Sequence, residues 1–455
     1  MNKRLIYLVF FFISTLVSDL YAQKSKDGWQ YLFNGKDLSG WKQLNGKAKY
    51  EVKDGAIVGT SVADTPNSFL TTEKDYGDFI FECDVMVDNK LNSGIQFRSL
   101  SIPEYKEGRV HGYQMEIDPS DRAWSGGIYD ESRRGWLYSG DLNPAGGRAF
   151  KKGQWNKYRV EAIGSHIRTF VNDVPVAYII DDLTLKGFIC LQVHGIGKNK
   201  DREGTQVKWK NVRIKTTDLK PSAPSDIRIE NFLVNDLDAD EKREGWVSLF
   251  DGKSADHWRG YNSQEFPPKR WSVKDETITV SKSDGSETGN DIVSKQKYGP
   301  SFEFQFDFKL TEGANSGVKY FVNEGLNSEG KSGLGLEYQI LDDEKHPDAK
   351  MGVVGNRTLA SLYDLIPAEK PSNAIHKIGE WNKGRIVVHA DGTVQHFLNS
   401  QKVVEYKRGG AIYKALVARS KYAKHENFGL SKEGNLLLQD HGDQVFYRNL
   451  KVKTN

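Results

Sequence analysis

The chain repeats itself, and the repeat constrains its fold more than any other feature. Residues 28–36 (GWQYLFNGK) return as 245–253 (GWVSLFDGK), and Trp41 is answered by Trp258. Asn92-Ser93-Gly94 returns as Asn315-Ser316-Gly317, and Trp155-Asn156 as Trp381-Asn382. Residues 191–195 (LQVHG) return as 438–442 (LQDHG). The order is the same in both copies, and the offset grows from about 217 to about 247 residues, as loop insertions in the second copy require. The 455 residues therefore divide into a first domain at 27–216, a linker at 217–243 and a second domain at 244–454. The linker is rich in Pro, Ser and charge, a composition that suits a solvated connector.

Within each copy the hydrophobic period is two. Phe79, Phe81, Cys83 and Val85 share one face of a run, and Phe302, Phe304, Phe306 and Phe308 share one face of its counterpart. Such short alternating runs between Gly, Asn and Asp turns predict an all-β antiparallel domain. A two-sheet jelly roll is the natural form, and a barrel of the same strands fits the pattern as well.

The N-terminus has a different character. Lys3 and Arg4 precede an apolar run from Leu5 to Val17, and small residues lead to Ala22. This predicts a secretory signal peptide over 1–22, its apolar run being too short to span a bilayer comfortably. A secreted or periplasmic location follows as an expectation, with no transmembrane anchor after cleavage. The 64 basic and 61 acidic residues nearly cancel, which gives no footprint for nucleic acid. Cys83 and Cys190 could form a disulfide after export or stay as two buried thiols.

The candidate chemistry lies on one alternating strand. In 111–118 (HGYQMEID) the core face takes Tyr113, Met115 and Ile117, leaving Gln114, Glu116 and Asp118 opposite. In 335–342 (GLEYQILD) the acid and amide exchange, so Glu337 and Gln339 face outward, with Asp342 following. Gln192 and His194, answered by Gln439 and His441, can reach the same face. So can Gln96 and Arg98 in the first copy and Lys319 in the second, with Tyr129 and Tyr363 offering rings for stacking. An aromatic-rimmed polar face of this kind suits a carbohydrate. The paired carboxylates of an ordinary retaining glycosidase are disfavoured, because Asp121 follows a Pro and Gln339 breaks the repeat of Glu116.

At these residues the sequence resembles the 3-keto-disaccharide hydrolase family. The second copy carries the likeness through 315–317 (NSG), 335–348 (GLEYQILDDEKHPD), 355–358 (GNRT), 361–365 (SLYDL), 379–382 (GEWN), 420–422 (SKY) and 437–442 (LLQDHG). The first carries it through 92–98 (NSGIQFR), 112–118 (GYQMEID), 126–130 (GGIYD), 153–156 (GQWN) and 191–194 (LQVH). The resemblance implies two tandem concanavalin A-like jelly-roll β-sandwiches acting on glycosides oxidised at C3. A ketone at C3 acidifies the C2 proton, so a base can remove it, the C1 oxygen leaves by β-elimination, and water addition completes a net hydrolysis. The expected catalytic residues are His441 and Glu337, with His194 and Glu116 in the same parts in the first copy. Lys319 or a divalent cation, and Arg98 in the first copy, would hold the oxyanion. Gln96, Gln114, Asp118, Tyr129, Gln192, Gln339, Asp342, Tyr363 and Gln439 are the expected substrate contacts. No cofactor is certain. Glu, His and Asp on one face could hold a hard or borderline divalent ion, and residues 342–346 read equally as a polar turn. The rival function is a non-catalytic, lectin-like tandem binder, in which two modules would raise avidity.

Overall fold

A computed structural model describes residues 27–285, 290–324, 333–371 and 374–454. The signal peptide expected over 1–22 lies outside the described residues. Each copy forms a two-sheet antiparallel sandwich of the concanavalin A-like jelly-roll kind. In the first copy one sheet has nine strands, with Phe79–Val87 between Asn156–Ile163 and Gln206–Lys215 at its centre. The second sheet runs in the order Gly135–Tyr138, Ile128–Glu131, His111–Ile117, Ser93–Leu100, Phe188–Val193, Ser68–Thr72, Trp41–Asn45. In the second copy an eight-stranded sheet centred on Phe302–Leu310 faces a five-stranded one. That smaller sheet is ordered Trp258–Gly260, Ile292–Tyr298, Gly434–Leu438, Asn315–Val322, Leu336–Leu341.

The alternating faces meet as their period requires. Phe79, Phe81, Cys83 and Val85 enter one core, and Phe302, Phe304, Phe306 and Phe308 enter the other. Full burial of each of these phenyl rings contributes roughly 1.5–3 kcal/mol. Cys83 and Cys190 are free and buried, and they sit in separate apolar clusters.

Many of the repeated motifs do the same structural task twice. The indole of Trp41 donates to the Leu32 carbonyl (2.7 Å), and that of Trp258 to the Leu249 carbonyl (2.9 Å). Asn34 and Asp251 each accept two backbone N–H groups and close the turn between. Ser93 and Ser316 each donate to the carbonyl of the glutamine on the next strand, at 2.6 Å in both copies. Asn156 and Asn382 accept an N–H from the loop before their strand and an amide proton from Asn172 and Asn399 respectively. These residues hold the scaffold.

The segment 217–243 is not the solvated connector that its composition suggests. Glu230–Asn231 adds a parallel strand to the edge of the first sandwich, and Ala239–Arg243 is a helix closed by a capping box of Asp238 and Glu241. Its buried charges reach the second sandwich: Glu230 meets Lys383 at 3.2 Å, Glu241 meets Lys451 at 2.5 Å, and Arg228 pairs with Glu303. Composition registers charge but cannot tell whether each charge has a partner.

Candidate active site

The site grows from one ladder that both copies share. In the first copy Gly94 pairs with Glu116 and Gln96 with Gln114; in the second Gly317 pairs with Gln339 and Lys319 with Glu337. The exchange of acid and amide therefore moves the carboxylate along its strand, from a position opposite glycine to one opposite lysine. The glycine of the Asn-Ser-Gly motif has a steric reason. A Cβ on Gly317 would lie 2.3 Å from Glu337 Oε1, and one on Gly94 would lie 2.4 Å from Gln114 Cδ. Only glycine lets the neighbouring side chain lie across the strand.

In the second copy these residues line a cavity of about 360 Å³. Its floor is Asn315, Lys319, Glu337 and Gln339 from the sheet, with Gln439 and His441 just past the strand Gly434–Leu438. Lys319 Nζ lies 4.0 Å from Glu337 Oε2 and donates to the Gly333 carbonyl. Burial pushes the Glu337 carboxyl above the usual carboxylate range, and Lys319 and Lys421 draw it partly back. Gln339 lines the cavity, is buried and donates to Asn315, and its buried Oε1 has no hydrogen-bond partner among the described residues. A substrate hydroxyl that reached it would satisfy that acceptor.

One wall joins Tyr363, which answers Tyr129, to residues that the repeat could not flag. Tyr363 bonds its hydroxyl to Asp348 (2.8 Å), which Arg357 also holds. Lys421, Tyr422, Lys424 and His425 come from the segment 408–433, which includes the helix Ala411–Ala418 and has only 181–187 as its counterpart in the first copy. The triplet 420–422 and Asp348 stand in the motifs that carry the resemblance. They have no partner in copy one, so a comparison of the copies passes over them.

The first copy arranges the same face differently. Glu116 accepts from Asn92 (2.6 Å) and Gln114 (2.9 Å), with Arg122 3.6 Å away. Burial pushes its carboxyl up to about 7. Gln114 also accepts from Gln96 and Gln192, so the three amides close on one another. Tyr129 stands opposite Gln114 and packs edge-on against Trp136.

The structure turns Arg98 away from the expected site and engages Asp118, Asp342 and His194 in local hydrogen bonds. Arg98 does not face the polar side. A bulge interrupts the ladder between Phe97 and Leu100, Arg98 takes a positive φ of 46°, and its guanidinium turns away to Asp78 and to the carbonyls of Gly77 and Gly164. Asp118 is occupied by the Ser120 N–H and by Arg122. Asp342 accepts three backbone N–H groups, from Gly313, Glu344 and Lys345, and closes a turn. His194 makes one hydrogen bond among the described residues, from its ring to the Gly195 carbonyl, and does not join the Glu116 network. Alternation and spacing cannot foresee a bulge or a turn that consumes a carboxylate.

Among the described residues, His346, His441 and Asp443 bring ligand atoms within 4.8 Å of one another at this end of the sheet. Asp443 accepts the Asn315 N–H, and His346 Nδ1 accepts the Asp348 N–H at 3.2 Å. A second cluster, His166 with Asp238 and Asp240, joins the first sandwich to the connector helix. No helix among the described residues is long and apolar enough to cross a membrane.

Parts of the chain are similar to known proteins. A chain from Bacteroides thetaiotaomicron described as a 3-keto-disaccharide hydrolase is 38% identical over 233 residues, spanning 46% of this chain and 78% of that one. The crystal structure of a glycosyl hydrolase candidate from Parabacteroides distasonis is 30% identical, covers 49% of this chain and 99% of its own, and gives a TM-score of 0.43. A carbohydrate binding module from Bacillus subtilis is 17% identical, with a TM-score of 0.29 over 39% of this chain and 95% of its own. The model of the 3-keto-alpha-glucoside-1,2-lyase-like domain matches twice, at residues 28–215 and 245–453. The chain belongs to the family of 3-keto-alpha-glucoside-1,2-lyase-like domains and carries that domain in two copies.

Proposed function

We propose that this protein is an exported carbohydrate-active hydrolase whose second copy cleaves 3-keto-glycosides by elimination and hydration. The observation that carries the reading is Glu337, a buried carboxylate of raised pKa placed beside Lys319 in a cavity. A base for proton abstraction needs a pKa near the working pH, which burial supplies. Glu337 takes the C2 proton, Lys319 faces the negative charge that develops on the C3 oxygen, and His441 at the cavity wall protonates the departing C1 oxygen. Water then adds at C1 as the proton returns to C2, so the overall change is hydrolysis. Gln339 and Gln439 bind hydroxyls, and Tyr363 and Tyr422 offer apolar surface to the ring.

For the first copy a non-catalytic, carbohydrate-binding role is favoured. Its acid stands opposite glycine rather than lysine and accepts from the amides of Asn92 and Gln114. Export rests on the signal-like residues 1–22 and is tested by fractionating cells that express the full chain.

The decisive experiment is turnover of a 3-keto-glucoside in deuterated water, with and without chelator, beside the unoxidised glucoside. The reading expects cleavage of the keto sugar alone, with solvent deuterium at C2 of the product. Cleavage without deuterium would mean direct displacement at C1, and binding without cleavage would favour the lectin-like alternative.

A further inference from the structure

The cavity holds a second lysine that the elimination just described does not use. Lys421 is fixed by its backbone, whose N–H donates to Asp364 Oδ2 (3.0 Å), and by its neighbour Tyr422, which is buried and stacked on Phe428 at 3.9 Å. Its side chain opens into the solvent of the cavity. The ammonium lies 4.2 Å from the centre of the Tyr363 ring and makes no hydrogen bond or ion pair among the described residues. Partial desolvation pushes it below the usual lysine value; Glu337 opposes that shift and Lys319 adds to it. A lysine that shares a cavity with another cation, with no carboxylate bonded to it, is the setting in which an amine becomes a nucleophile.

The chemistry supplies a reason for one. A carboxylate is a weak base towards the proton next to a ketone, and conversion of the ketone to an iminium makes that proton far more acidic. We propose that Lys421 condenses with the C3 ketone to form an iminium before Glu337 removes the C2 proton; this rests on the 3-keto-glycoside reading given above. The amine adds to C3, and the ketone oxygen leaves as water. Loss of the C2 proton to Glu337 gives an enamine, whose electrons expel the protonated C1 oxygen and leave an unsaturated iminium. Water adds at C1 while C2 regains a proton, and a second water hydrolyses the iminium to free Lys421. One water leaves and two enter, so the balance is that of a single hydrolysis. Lys319, beside Glu337, then stabilises the carboxylate rather than the sugar oxygen.

The test incubates the full chain with 3-keto-glucoside and cyanoborohydride, followed by intact mass and peptide mapping. The expected result is an adduct of the substrate mass less one oxygen, located at Lys421. It should be absent in Lys421→Arg and Lys421→Ala and present in Lys414→Ala, an exposed lysine of the adjoining helix. Both Lys421 variants should lose kcat by about a hundredfold or more, with thermal melting unchanged. Wild-type turnover with no adduct, together with Lys421→Arg within tenfold of wild type, would overturn the iminium and leave Lys421 as a charge only. No turnover and no C2 exchange by the wild-type protein would instead overturn the 3-keto-glycoside reading itself.

Discussion

The two polar faces share one ladder and differ in the exchange of acid and amide, in Lys319 where the first copy has Gln96, and in the longer segment 408–433. In the first copy the acid, Glu116, lies opposite Gly94 and is held by Asn92 and Gln114. In the second the acid, Glu337, lies opposite Lys319 and looks into a cavity walled by the segment 408–433. Both carboxyls are raised by burial. A perturbed pKa therefore does not separate a reactive group from a resident one. The separation comes from what stands next to the acid: amides that satisfy it, or a cation and open space.

Four experiments break or sharpen this contrast. Glu337→Gln should lower cleavage of a 3-keto-glucoside by about a thousandfold, whereas Glu116→Gln should leave kcat within twofold; equal losses would erase the distinction between the copies. Next in size is the bulge residue. Arg98→Ala removes a buried guanidinium from two carbonyls and Asp78, and should cost about 3 kcal/mol in denaturant unfolding of the first sandwich. Phe321, its counterpart, also has a positive φ, of 55°, and lies under the Arg408 guanidinium at 4.0 Å, so Arg408→Ala should cost less.

Third is pH. With a folded pKa of about 7 against a usual 4.5, Glu116 keeps its proton in the folded chain between those values while the unfolded chain releases it. Stability from this group is thus full below pH 4.5 and falls as pH rises towards 7, by roughly 3 kcal/mol. Glu116→Gln should flatten that part of the curve, and an unchanged slope in melts from pH 4.5 to 8 would contradict the assignment. The smallest effect is expected at the histidines. His441→Ala should lower kcat by roughly tenfold to a hundredfold, with His194→Ala at wild-type level; if both retain full turnover, neither imidazole serves in catalysis.

The strands and core were legible because their signal is local and periodic. Alternation places Phe302, Phe304, Phe306 and Phe308 on one face whatever else the chain does, and they are all in the core. The polar row was legible for the same reason: Glu337, Gln339, Lys319, Gln439, Tyr363 and His441 line one cavity. Period failed where a bulge resets it, at Arg98, and where a turn uses the carboxylate, at Asp342 and Asp118. Repetition also misleads in one direction, since it marks what two copies share. The shared residues are largely scaffold: Trp41 and Trp258, Asn156 and Asn382, Ser93 and Ser316. Lys421, Tyr422 and His425 have no twin, and they complete the site.

By itself the sequence determined that two β domains stand in tandem, which faces of their strands are buried and which polar groups share the other face. A period of two and an ordered set of repeated motifs suffice for that. Tertiary structure alone decided which acid meets a cation, which charges the connector buries and where a cavity opens. Those outcomes depend on strand register and on residues far apart in the chain, which meet only after the sheets have formed.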